Sequence, residues 1–161
     1  MVEKKKMLSN SLAYSVAIKL LTRREYSAFE LREKLLTKGF TSECIDYLIS
    51  ELRAKKLQCD NRFTESYINM RIRRGFGPIK IAAELKHRRI DPEIIKTLLS
   101  SHEHNWKFIA RALCDKKFGR DGSNSFANLT KQNRFLMNKG FAREHLGKFA
   151  EYEEICENLD N

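Results

Sequence analysis

The sequence predicts an all-α protein made of three tandem three-helix repeats, and three observations carry that expectation. Gly (7) and Pro (2) are scarce in the 161 residues, and apolar side chains recur at helical rather than alternating spacing, so little of the chain asks to be a strand. A basic amphipathic helix closed by a large apolar residue occurs three times, at Glu30–Phe40, Lys80–Ile90 and Arg134–Phe141. The closing residues Phe40, Ile90 and Phe141 are 50 and then 51 positions apart. A period of that size marks a supersecondary unit that buries its apolar face by stacking on copies of itself, and such arrays work through extended surfaces. The repeat therefore points to binding before catalysis.

The first helix places Ala13, Ala17, Leu20 and Leu21 on one face, at i, i+4, i+7 and i+8, with Arg23 and Arg24 at its C-terminal end, where cations suit the dipole. Ser27 and Glu30 have the Ser-x-x-Glu spacing of a capping box, so a second helix starts there. It runs to Lys38. Gly39 suits the left-handed position after the last turn, which makes Phe40 the residue that packs back on Leu35 in a Schellman stop. A third helix follows, with Ile45, Leu48, Ile49 and Leu52 inward.

The second unit opens at Asp60, a candidate N-cap for a helix carrying Phe63, Tyr67 and Met70. Gly75-Phe76-Gly77-Pro78 turns the chain into the helix that ends at Ile90. Arg89 stands there in place of glycine, which costs on the order of 1 kcal/mol if its backbone is left-handed. Asp91-Pro92-Glu93 supplies an N-cap, a proline at N1 and an acid in the first turn of the next helix, which carries Ile94, Ile95, Leu98 and Leu99. In the third unit Trp106, Ile109, Ala110 and Leu113 share a face. Gly119–Ser125 is a polar loop, Gly140 and Phe141 repeat the stop against Leu136, and Leu146, Phe149 and Ala150 begin a last helix. The expected units are residues 9–57, 58–102 and 103–150, roughly nine helices, followed by an acidic tail at 151–161. Tyr67, Trp106 and Phe135 are expected in the core.

Lys plus Arg (31) exceed Asp plus Glu (21), a formal charge of +10. Residues 149–161 hold five acids and no base, so residues 1–148 carry +15. That balance favours a polyanion or an acidic protein surface. Several other classes are not supported. Cys44, Cys59, Cys114 and Cys156 form no CxxC pair, and His87, His102, His104 and His145 complete no metal-ligand pattern, which suits reduced cysteines and a cytoplasmic protein. His102-Glu103-His104 suits a solvated linker, since neighbours two apart face different ways on a helix. Gly75–Pro78 lacks the GxxxxGK[ST] phosphate cradle, and no carboxylate pair is set for acid–base chemistry, so neither a cofactor nor an enzymatic activity is expected. Lys4-Lys5-Lys6 resembles the start of a signal peptide, but Lys19 interrupts the apolar stretch and no small-residue cleavage site follows. No run approaches ~18 apolar residues, so no membrane span is expected.

Charge concentrates between Asp60 and Arg89, where Arg62, Arg71, Arg73, Arg74, Lys80, Lys86, Arg88 and Arg89 oppose Asp60, Glu65 and Glu84. A solvated face would explain part of this. Arg71, Arg73 and Arg74 beside the Gly75 turn, with Lys80 following, exceed what solubility needs.

Over about residues 10–150 the chain resembles the RecX regulators of the bacterial recombinase RecA. The resemblance lies in Ser27-x-x-Glu30-Leu31-Arg32-x-Lys34-Leu35, Asp60-x-Arg62-Phe63, Arg73-x-Gly75-x-Gly77-Pro78-x-Lys80-Ile81-x-x-Glu84-Leu85, Trp106, Lys116-Lys117-Phe118-Gly119 and Arg134-Phe135-Leu136-x-x-x-Gly140-Phe141. No one segment is diagnostic; their order and spacing together are. The resemblance implies an elongated, curved molecule that lies in the groove of RecA filaments on single-stranded DNA. There it would restrain filament growth, ATP hydrolysis, strand exchange and coprotease activity, as a monomer with weak DNA contacts of its own and without catalytic residues. Where the family and this chain are both basic, Arg71, Arg73, Arg74, Lys80, Lys86 and Arg88 become the candidates for the RecA-filament or DNA face. Two other readings stay open: a DNA-binding protein using helix-turn-helix-like units, and a helical scaffold for an unrelated acidic protein.

Overall fold

A computed structural model describes residues 2–101, 105–119 and 126–146, with side chains described outside 2–9 and 126–127. Eight helices follow one another: α1 (Val2–Leu21), α2 (Ala28–Leu36), α3 (Ser42–Ala54), α4 (Asp60–Arg73), α5 (Pro78–His87), α6 (Pro92–Ser100), α7 (Trp106–Phe118) and α8 (Phe126–Lys139), before a 3-10 turn at Arg143–His145. No strand occurs among the described residues. Helices pack in threes: α1, α2 and α3 touch one another, as do α4, α5 and α6, while α7 packs on α8 and on the 3-10 turn. Helix α1 begins well before residue 9. The expected last helix of the third unit, the linker His102–His104, most of the loop 119–125, Cys156 and the acidic tail lie outside the described residues.

The expected stops are present, and the same device recurs elsewhere. Phe40 N–H donates to Leu35 O at 3.3 Å, Ile90 N–H to Leu85 O at 3.2 Å and Phe141 N–H to Leu136 O at 3.1 Å, each from the residue after a left-handed one. Leu57 to Leu52 (2.8 Å) and Phe76 to Arg71 (3.1 Å) repeat the bond, behind Lys56 and Gly75. Arg89 is left-handed at φ 55°. The structure thus accepts the strain that the sequence foreshadows.

Asp60 does not cap α4. It is the first helical residue, and Cys59 before it makes no side-chain cap. Its carboxylate instead accepts from the Ala28 N–H at 2.9 Å and from Gln58 Nε2 at 2.9 Å, and pairs with Arg53 at 2.7 Å. It thereby serves an orphan donor of α2, one unit away. Ser27 makes its half of the capping box, accepting from Glu30 N–H at 3.0 Å, but the Glu30 carboxylate turns outward to Arg24 and Arg88.

Two cores result. The first unit buries Ala13, Ala17, Leu31, Leu35, Ile45, Leu48 and Leu52. The second and third units share one core, in which Phe63, Ile68, Ile81, Leu85, Ile95, Trp106, Leu136, Phe141 and Leu146 are buried together. Trp106 meets Phe141 edge-on at 6.4 Å, so the stop of the third unit is anchored by an aromatic pair. Cys114 lies in this core, and burial pushes its thiol up to about 11; it stays protonated near neutral pH and packs as a small apolar group.

Candidate interaction surface

The six candidate cations divide into two kinds. Arg71, near the end of α4, is held inward: its guanidinium pairs with Glu84 and lies 3.6 Å from the centre of the Phe76 ring. Arg88, at the end of α5, reaches Glu30 of the first unit at 3.1 Å, donates to the Glu84 carbonyl at 2.8 Å and covers the Tyr67 ring at 4.5 Å. Tyr67 completes the cluster by donating to Glu84 at 2.9 Å. Burial pushes its phenol above the usual range, and the bond to Glu84 adds to that shift. Tyr67 and Phe135 are half-buried rather than core, whereas Trp106 is fully buried.

Arg73, Arg74, Lys80 and Lys86 point outward. None has a carboxylate partner among the described residues, so their charge is available to a ligand. Arg73 and Arg74 end α4, Lys80 lies in the first turn of α5 and Lys86 in its last. The short turn Gly75–Gly77 brings the first three to one side of a helix–turn–helix corner.

The structure adds cations from the third unit. Lys139 lies 4.7 Å from the centre of the Phe76 ring, which also has Lys80 at 5.1 Å. Lys139 is 5.8 Å from Phe135, Lys117 is 3.9 Å from the same ring, and Phe135 meets Phe118 edge-on at 5.6 Å. Three half-buried rings thus carry a run of ammonium groups across the joint between units two and three. The sequence signal was a lysine beside or near a phenylalanine in Lys117-Phe118 and Phe135–Lys139. Only the fold shows that these segments meet Phe76.

A second concave feature sits between units one and two, a cleft of about 320 Å³ bordered by Arg24, Tyr26, Phe29, Glu30, His87 and Arg88. Arg89 covers Phe29 at 4.8 Å beside it. Among the described residues no group of three or more His, Cys, Asp or Glu is placed to hold a metal ion, and no helix is long and apolar enough to cross a membrane. The chemistry on offer is charge and ring surface.

Models of the first and second three-helix domains of RecX match residues 13–52 and 60–99, within the first two units. A regulatory protein RecX from Legionella pneumophila (strain Corby) is 43% identical over 136 residues, covering 84% of this chain and 91% of that protein. The chain belongs to the RecX family. The regulatory protein RecX of Haemophilus influenzae (strain PittEE) is 42% identical over 110 residues, 68% of this chain and 72% of that protein. The crystal structure of RecX from Lactobacillus salivarius superposes with a TM-score of 0.78 at 21% identity, covering 91% of this chain and 97% of that one. A second RecX crystal structure gives 0.77 at 21% identity, with 91% and 74% coverage. The all-α architecture of tandem three-helix units is therefore that of RecX, and the relatives are named as regulators rather than enzymes. Within that architecture, the RecX-like segment Arg73–Leu85 spans the corner that presents the outward cations and the Glu84 that holds Arg71 and Tyr67.

Proposed function

We propose that this protein is a negative modulator of RecA that lies in the groove of the RecA–single-stranded DNA filament and inhibits filament extension, ATP hydrolysis, strand exchange and coprotease activity. The observation that carries the reading is the row of cations without carboxylate partners at the α4–α5 corner, in a chain whose relatives are RecX regulators. Arg73, Arg74, Lys80 and Lys86 contact the filament or its DNA. Arg71 and Arg88 set the geometry of that face through Glu84, Phe76, Tyr67 and Glu30. The units function as residues 9–57, 58–102 and 103–150, with 151–161 as an acidic tail, in a cytoplasmic monomer that acts by binding alone.

Added to RecA, single-stranded DNA and ATP, the purified protein should suppress hydrolysis; unchanged hydrolysis at several-fold excess over filament sites would sink the proposal. Replacing Arg73, Arg74, Lys80 and Lys86 together with Ala should abolish suppression with helical content and melting unchanged, since these side chains hold nothing in the fold. Salt separates direct DNA binding from filament docking: six phosphate contacts would weaken single-strand binding roughly as the fourth power of salt. Filament binding that falls as steeply would assign the surface to DNA alone.

A further inference from the structure

The most concentrated unpaired charge on the molecule lies at the joint of units two and three. Lys80, Lys117 and Lys139 each approach a phenylalanine ring, and none has a carboxylate partner among the described residues. A ring beneath an ammonium group orders it without neutralising it, so an arriving anion meets charges whose rotamer freedom is already reduced. Phe76, Phe118 and Phe135 remain half-exposed between them. The surface suits a partner both acidic and apolar.

The chain carries such a segment. Residues 149–161 contain Glu151, Glu153, Glu154, Glu157 and Asp160 without a single Lys or Arg, against +15 on residues 1–148. Tyr152, Ile155 and Leu159 are three and four positions apart, the spacing of one helical face, with acids between them. The segment is also tethered beside the surface. It starts three residues after Leu146, which is buried in the same core as Phe141. Phe141 adjoins Gly140, whose backbone lies against Lys80. Thirteen residues of extended chain span up to about 45 Å. A short tether gives an effective concentration in the millimolar range, so even a weak intrinsic affinity would keep the surface occupied.

We infer that Lys80, Lys117 and Lys139, with Phe76, Phe118 and Phe135, form a docking surface for the acidic segment 149–161 of the same chain. The docked segment covers lysines that a phosphate backbone would otherwise contact, so it restrains binding of nucleic acid. Only that consequence rests on the proposed function; the docking needs neither RecA nor DNA.

Amide spectra of the full chain and of a chain ending at Lys148 test the docking directly. Signals of Phe76, Lys117, Phe118, Phe135 and Lys139 should differ between the two. In the full chain, Lys117→Gln with Lys139→Gln, or a rise from ~50 to ~500 mM NaCl, should move the signals of Glu151–Asp160 to those of the free peptide. Differences confined to residues 140–148, or tail signals indifferent to the lysine substitutions, would overturn the inference. A labelled oligothymidylate gives a second arm: truncation should tighten binding about tenfold in the parent chain and less than twofold with both lysines replaced. Equal tightening in both backgrounds would mean that the tail acts through net charge, against the inference. Absence of DNA binding in every chain would count against the proposed DNA contact, while the amide signals would still decide the docking.

Discussion

The two joints of this molecule are built from different chemistry. Between units one and two the contacts are polar and long-armed: Arg88 to Glu30, Arg62 to Glu25 at 2.9 Å, Asp60 to the Ala28 N–H, and Gln58 Nε2 to the Tyr26 carbonyl at 3.2 Å. Each side of that joint keeps a separate core. Between units two and three the backbones themselves touch: Gly77 N–H donates to Lys139 O at 2.8 Å and Ile79 N–H to Gly140 O at 3.0 Å, over one continuous core. Charges at a partly exposed joint are screened by salt and weakly worth holding, whereas close backbone contact over shared apolar area tolerates no adjustment. Units two and three should therefore respond as one body, and unit one should be the part whose attachment conditions can tune.

The largest effects are expected where the tight joint is broken. Phe141→Ala removes a ring that is 1% exposed and packed on Trp106, and should cost about 3–5 kcal/mol. At about 2–4 °C per kcal/mol for a chain of this size, the melting temperature would fall by roughly 10 °C. An unchanged melt would show that the shared core does not depend on this stop. Gly77→Ala comes next. A Cβ there would stand 2.4 Å from the Gly140 carbonyl oxygen and 2.6 Å from the Phe141 nitrogen, so the units must part or shift. A loss of about 2–4 kcal/mol is expected, within the range of overpacked sites. A melt within ~0.5 kcal/mol of the parent would show the joint to be loose.

Much of this architecture is visible in the sequence, and its gaps have physical reasons. The stops at Phe40, Ile90 and Phe141 could be placed because a Schellman end needs one left-handed residue and one apolar residue at fixed spacing, a local requirement. The stop at Leu57 could not, because Lys56 takes the left-handed position without being glycine. Asp60 has the composition of an N-cap, yet its carboxylate serves a helix start 32 residues away, and no local rule contains that partner. The basic density around Gly75 was legible, but its division into inward Arg71 and Arg88 and outward Arg73, Arg74, Lys80 and Lys86 depends on where Glu84, Glu30 and the rings lie. Lys117 and Lys139 joined the surface only once the third unit was docked.

The polar joint gives smaller effects with a different signature. Arg88→Ala removes a charge-assisted bond to Glu30 and the cover on Tyr67 at a site about a quarter exposed. A loss of about 1 kcal/mol is expected after allowing for solvent screening. Its diagnostic is salt: the difference from the parent in urea unfolding should shrink from ~50 to ~500 mM NaCl, while that of Phe141→Ala should not change. If both differences respond to salt alike, the two joints are not chemically distinct.

The smallest expected effect is the most discriminating, because it asks why Arg89 occupies a position that glycine fills in the other two repeats. Left-handed backbone at φ 55° costs an arginine on the order of 1 kcal/mol. The side chain thereby gains a place over Phe29 of the first unit, a contact worth about 0.5–1 kcal/mol at an exposed site. The two terms nearly cancel, so Arg89→Gly should leave stability within about 0.5 kcal/mol of the parent. The same substitution made together with Phe29→Ala should gain about 1 kcal/mol relative to Phe29→Ala alone, since only the strain remains to be relieved. Urea unfolding of the four chains measures that coupling. A gain of equal size in both backgrounds would mean that Arg89 stabilises nothing across the joint, and that the departure from glycine in the middle repeat has no part in holding unit one to unit two.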